Sequence, residues 1–233
     1  MPNGSDSSKE SGTTPLLRRR VGRPRQRVLT PELIAQAALE LLDSVGEQQF
    51  TIGLLAQRLK VSPSALYNHF RNKDAVMAAV RELISDRISV DGFDRLPWDD
   101  ALREWAWSYR AAFAAHPITV AFFATTPVTD AERTLLMYEG VVGPLVAAGW
   151  PQEHVVSMMV ALESFILGSA LDATAPADMF DPGEHTAEVP EFQAALLARS
   201  ERLAGASATD ESFEIGLNAM LLGLREFFQQ LTK

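Results

Sequence analysis

The chain has no cysteine among its 233 residues. Disulfides and thiolate metal sites are therefore excluded, and a reducing compartment suits it. Uninterrupted apolar runs of the roughly 18–20 residues that a membrane span needs are also missing. The first residues, Met1 to Asp6, carry no apolar core, so no secretory signal is expected. The cytoplasm is the expected location, with no membrane partner. No strand-like alternation of useful length occurs, and no internal repeat. There is no Gly-rich phosphate loop, no nucleophile elbow and no His-x-x-x-His pair. These absences leave an all-α protein without cofactor, metal site or catalytic residues as the expectation.

An overall basic excess is missing too: the net charge is −9. Its distribution matters more than its sum. Residues 1–90 hold 13 Lys/Arg against 9 Asp/Glu, whereas residues 91–233 hold 8 against 21. A basic end on an acidic body suits one end facing phosphate. Residues 1–17 are Ser-, Gly-, Thr- and Pro-rich, and six arginines follow between Arg18 and Arg27 with no acid. Residues 1–27 read as a disordered basic arm. Its Gly22-Arg23-Pro24-Arg25 step is similar to an AT-hook core, so Arg23 and Arg25 are candidate minor-groove contacts; a solvated tail is the alternative.

Helical pattern begins at Thr30, an N-cap candidate followed by Pro31 and Glu32. Leu33, Ile34, Ala37, Ala38, Leu41, Leu42 and Val45 recur at the 3–4 spacing of one buried face, and Gly46 ends the run. Thr51 caps a shorter helix. Ser62 caps a third, with Pro63 at its first position, running to about Phe70. Asn72-Lys73-Asp74 restarts a helix to about Ser89. Further helices are expected from Trp98 to about Ala115, Asp130 (as cap) to Ala148, Gln152 to Asp172, Pro190 to Ala204 and Ser212 to Leu231. Helical turns are expected at 118–125 and a loop at 173–189. Two short capped helices joined by about three residues form a helix-turn-helix, which presents its second helix to a major groove. Ser62, Pro63, Ser64 and Ala65 stand at that helix's N-terminus. Tyr67 and His69 can donate to phosphate oxygens, and Lys73 adds a cation.

The run from Thr51 to Lys73, above all Leu66-Tyr67-Asn68-His69-Phe70-Arg71-Asn72-Lys73, resembles the DNA-binding signature of the tetracycline-repressor (TetR) family. The preceding helix, with Ala38 to Leu42 and Gly46, matches as well. The resemblance implies phosphate contacts for Thr51, Tyr67, His69 and Lys73. It makes Ser62, Pro63, Ser64, Ala65 and Asn68 the base-facing positions. Gly53 stands where the tetracycline repressors carry a base-reading Arg, so Ser64 and Asn68 are the best remaining readers, supplemented by methyl contacts and DNA shape. The implied architecture is a helix-turn-helix domain over 28–75 and a larger helical ligand-binding and dimerisation domain over 76–233.

Residues 98–172 are rich in large side chains, most of which an all-helical domain uses as core. The family places an effector cavity between these helices, which implies Trp105, Tyr109, Phe113, His116, Phe123, Met137, Met159 and Glu163 as ligand contacts. Trp105 and Tyr109 lie one turn apart, each with an apolar body and one polar group. Val160 to Asp172 is similar to the corresponding helix of the tetracycline repressors. Their magnesium–tetracycline ligands are not matched: Ser164, Phe123 and Ser89 fall where histidines stand in that subgroup. A hard cation wants oxygen or imidazole ligands, so an apolar or aromatic effector is expected instead. The resemblance implies a homodimeric repressor of double-stranded operator DNA, released by a small molecule and paired through helices at about 153–172 and 212–231. Two competing readings are a ligand-free regulator and an enzyme using His116 as base; a lone His beside Pro117 at a helix end is ordinarily a capping or packed group.

Overall fold

A computed structural model describes residues 28–176 and 178–232. Arg23 and Arg25 lie outside the described residues. Ten α-helices follow one another: α1 Pro31–Val45, α2 Ile52–Leu59, α3 Pro63–Tyr67, α4 Lys73–Ser85, α5 Trp98–Ala114, α6 Ile118–Thr125, α7 Glu132–Ala147, α8 Gln152–Asp172, α9 Pro190–Leu203 and α10 Ala208–Leu231. Short 3-10 turns occupy Asp91–Asp94 and Gly183–Glu188, and the described residues contain no strand. The fold is all-α.

The N-terminal helices start where local chemistry says they should. Thr30, Thr51, Ser62 and Asn72 each accept a backbone N–H from three residues ahead, at 2.8–3.3 Å. Such caps satisfy donors that the first turn leaves orphaned. Gly46 ends α1 at φ 76°, a region an L side chain enters only at a cost. Ile34, Ala38, Leu39, Leu42, Leu55, Leu66, Val76 and Val80 close a fully buried core between α1, α2, α3 and α4. α4 also packs on α5 and α7, so one helix joins the N-terminal head to the body. The body is built on α5 and α8, with α7 and α10 against them.

Several boundaries depart from expectation. Asp130 does not cap α7. It sits at φ 60°, paired with Arg71, and the helix starts at Glu132 without a side-chain cap. α4 stops at Ser85, four residues early, and the Ser89 N–H donates to the Ser108 hydroxyl. α10 begins at Ala208 because Ser207 caps it through the Asp210 N–H. Residues 118–125 form a continuous helix.

α8 is long and apolar enough to cross a membrane by length and composition alone, and much of its surface is left uncovered within the chain. One side of α8 meets α5 and α10. Here Gly216 lets α10 come close: a β-carbon at that position would stand 2.6 Å from the Phe165 ring, which is stacked on Phe213 at 5.3 Å. Gly216→Ala is therefore expected to lower stability by about 1–2 kcal/mol, since overpacking outweighs the better helix propensity of alanine. Urea melts check this, and a stabilised variant would mean the Phe165 ring moves aside freely.

Candidate DNA-reading face and cavity

Thr51, Ser62, Ser64, Tyr67, Asn68 and His69 are all exposed on the α2–α3 surface. Ala65 is half-buried and Pro63 exposed. The capping geometry leaves useful hydrogens. Thr51 Oγ1 accepts from the Leu54 N–H at 3.1 Å, so its own O–H remains able to donate to a phosphate oxygen. Ser62 and Ser64 are hydrogen-bonded to each other at 2.8 Å, which ties part of their donor capacity to the cap. Tyr67, 53% exposed, and the exposed His69 make no side-chain hydrogen bond among the described residues. Lys73 behaves differently. Its ammonium donates to the Phe50 carbonyl at 3.2 Å, lies 3.6 Å from Glu47 and sits over the Phe50 ring. It pins the start of α4 to the α1–α2 turn, and with three N–H groups it can still meet a phosphate.

Within the body, a cavity of about 460 Å³ opens between α4, α5, α8 and the α6–α7 segment. Of the expected ligand contacts, Tyr109, Phe113, Phe123 and Glu163 line it. Trp105, Met137, Met159 and His116 do not. Trp105 is fully buried behind Tyr109, its indole N–H directed at the Met137 sulfur at 3.5 Å, and Met159 is core. His116 lies on the seam between head and body: Nδ1 meets Asp43 of α1 at 2.7 Å, and Nε2 meets Arg87 at 2.7 Å. Because an Arg always donates, Nε2 is the acceptor there and Nδ1–H the donor to Asp43.

Arg81 and Tyr138 are among the lining residues that were not expected as ligand contacts. Arg81 falls in the apolar stripe of α4 with Met77, Val80 and Ile84, and an arginine at such a position was the available signal. Burial pushes the Arg81 guanidinium down from its ordinary range. Burial also raises the Tyr109 and Tyr138 hydroxyls, with the nearby Glu163 carboxyl adding to both. The Glu163 carboxyl is itself raised, chiefly by burial, against an opposing pull from the two tyrosines and Arg81. Its Oε1 has no hydrogen-bond partner.

The Glu163 shift has a sign that can be measured. A carboxyl raised in the folded state binds protons more tightly there than when unfolded. Stability therefore falls as pH rises from the ordinary 4.5 through the raised folded value. Glu163→Gln removes that loss. The variant is expected to melt about 2–4 °C above the parent at pH 8, the shift that one kcal/mol gives in a chain of this size. The gap should close near pH 4. Melting curves at both pH values check it, and a gap independent of pH would contradict it.

Comparison with known proteins now bears on the whole arrangement. Residues 34–80 match the family described as bacterial regulatory proteins, tetR family. Residues 94–228, more than half the chain, match the tetracyclin repressor-like C-terminal domain. The chain belongs to the TetR family. Among relatives of this TetR-family regulator, the class A tetracycline repressor from transposon 1721 of Escherichia coli is 30% identical over 203 residues, 84% of this chain and 90% of that protein. An HTH-type transcriptional regulator of Saccharopolyspora erythraea is 28% identical over 142 residues, 61% of this chain and 60% of its own length. The Streptomyces coelicolor TetR family protein ActR, solved in complex with actinorhodin, aligns at TM-score 0.65 and 25% identity, covering 84% of this chain and 95% of that one. A helix-turn-helix transcription regulator with a helical ligand-binding domain is thereby established in outline.

Proposed function

We propose that this TetR-family chain is a homodimeric cytoplasmic repressor that grips operator DNA through α3 and releases it when a small aromatic or apolar molecule enters the cavity. Thr51, Tyr67, His69 and Lys73 hold phosphates, and Ser64 and Asn68 face bases. The observation that carries this is α4. It holds Lys73 at the DNA-facing end and Arg81 in the cavity wall, eight residues and about 12 Å apart along the axis. Displacement of α4 by a ligand moves the head with it, because α1 packs on α4 more extensively than on any other element. The ligand-bound relative in Streptomyces coelicolor supports a cavity occupant.

The homodimer rests on apolar surface left uncovered. Val156, Val160 and Leu171 form one outward stripe on α8, and Ile215 and Leu222 another on α10, each 46–63% exposed. Neighbouring apolar stripes on two helices suit a four-helix interface with a second copy. Ligand release is tested by titrating compounds that raise the melting temperature into the protein–operator complex. A stabilising compound is expected to dissociate the DNA over the same concentration range that raises stability. Compounds that stabilise the chain yet leave operator affinity unchanged would overturn the release mechanism.

A further inference from the structure

The polar groups of the cavity are not equally free. Ser85 and Thr134 spend their hydroxyls on each other at 2.9 Å, and Ser164 donates to the Val160 carbonyl. Arg81 is 6% exposed. Its Nη2 donates to the Phe123 and Thr126 carbonyls at 3.3 and 2.7 Å, and its guanidinium lies 4.9 Å from the Phe123 ring centre. Among the described residues it enters no ion pair, and its Nε–H and Nη1 hydrogens reach no protein acceptor. Arg81 and Phe123 also wall a second hollow of about 410 Å³, toward Arg71 and Asp130. The guanidinium thus stands between two open spaces with three of its five N–H groups unused.

A buried cation with no ion pair in contact is costly, and the free Nε–H and Nη1 hydrogens can each give an anion a charge-assisted hydrogen bond. The wall beside it is flat and aromatic: Tyr109 and Phe113 are stacked at 5.2 Å with 14° between their planes. Across the cavity stands Glu163, whose carboxyl is raised chiefly by burial and whose Oε1 has no hydrogen-bond partner among the described residues, so it is open to a polar group of the ligand. Resting on the effector role of the cavity, we propose that the effector is an aromatic acid, with a planar ring against Phe113 and Phe123 and a carboxylate or phenolate paired with the free N–H groups of Arg81.

Three fluorescent probes sharing one ring system separate charge from shape: naphthoate, its methyl ester and naphthylmethylamine, titrated into the full-length chain. Naphthoate is expected to bind at least about tenfold more tightly than the ester, a difference typical of one charge-assisted contact, with the amine weakest. Arg81→Gln, which keeps a donor for the Phe123 or Thr126 carbonyl, should bring acid and ester within twofold, with most of the loss on the acid. Arg81→Lys should retain part of the preference, and a cooperative melt with operator binding retained reports a folded chain in either variant. An acid no tighter than its ester, or a preference that survives Arg81→Gln, overturns the proposal. The amine binding most tightly would assign the site to a cation held by Glu163. Binding of all three without charge preference would leave the effector cavity standing and remove only the acid. Failure of all three to bind at about 1 mM, with operator binding intact, would remove the cavity role and the proposal together.

Discussion

The double variant Tyr67→Phe, His69→Ala is expected to bind operator DNA about a hundred- to a thousandfold more weakly than the parent while melting at the same temperature. Both side chains are exposed, and neither makes a hydrogen bond within the described chain, so removing the Tyr67 hydroxyl and the His69 ring costs the fold nothing visible. Each loses one hydrogen bond to a phosphate oxygen. At roughly 1 kcal/mol apiece, doubled by the two-fold symmetry of a dimer on its operator, the loss is about 4 kcal/mol, or close to three decades of affinity. The salt slope should change less than on removal of a lysine. Lys73→Ala is the instructive contrast. It should flatten the salt dependence by about one ion per protomer. It should also lower the melting temperature, because the ammonium secures the Phe50 carbonyl and covers the Phe50 ring. Gel-shift titrations at two salt concentrations, with parallel melts, distinguish the two behaviours. A double variant within twofold of the parent would take Tyr67 and His69 off the phosphate contacts.

Replacing Ile215 and Leu222 together by Glu is expected to convert the protein to a folded monomer of 25.5 kDa with at least about a hundredfold weaker operator binding. Both side chains are more than 60% exposed within one chain, so glutamate there is harmless to the monomer. In an isologous interface each residue meets symmetry-related neighbours, and like charges are then driven together in a desolvated patch. A monomer keeps one head and loses the second half-site, whose binding had been made intramolecular by the pairing. Sedimentation gives the mass and fluorescence anisotropy the affinity. A variant that stays dimeric would place the interface elsewhere on the chain.

What could be read from sequence follows the reach of the forces involved. The caps at Thr30, Thr51, Ser62 and Asn72 were legible because a cap is settled within three residues. The exposed side of α2 and α3 was legible for the same reason: both helices are local, and that side follows from the buried Leu55, Ala56 and Leu66. Asp130 misled because its backbone is held at φ 60° beside Arg71, which lies 59 residues away in sequence. His116 looked like a ligand contact, and its ring is instead taken by Asp43 of α1 and Arg87 of the turn after α4. Arg81 was concealed by its own spacing. A charge inside an apolar stripe reads as helix surface until the packing shows that solvent is absent. Trp105 and Tyr109 share a helix face, yet only Tyr109 reaches the cavity, because depth along that face depends on how α7 and α8 close over it.

The central claim is a sequence-specific dimer that reads DNA through α3. Its most direct test is selection of bound duplexes from a randomised pool by the full-length chain, followed by the stoichiometry of the selected complex. The expected result is a palindromic consensus with its half-site centres about one helical turn, roughly 34–36 Å, or a multiple of it apart, occupied by two chains. A pool that stays random after selection, or a single asymmetric site filled by one chain, would contradict it.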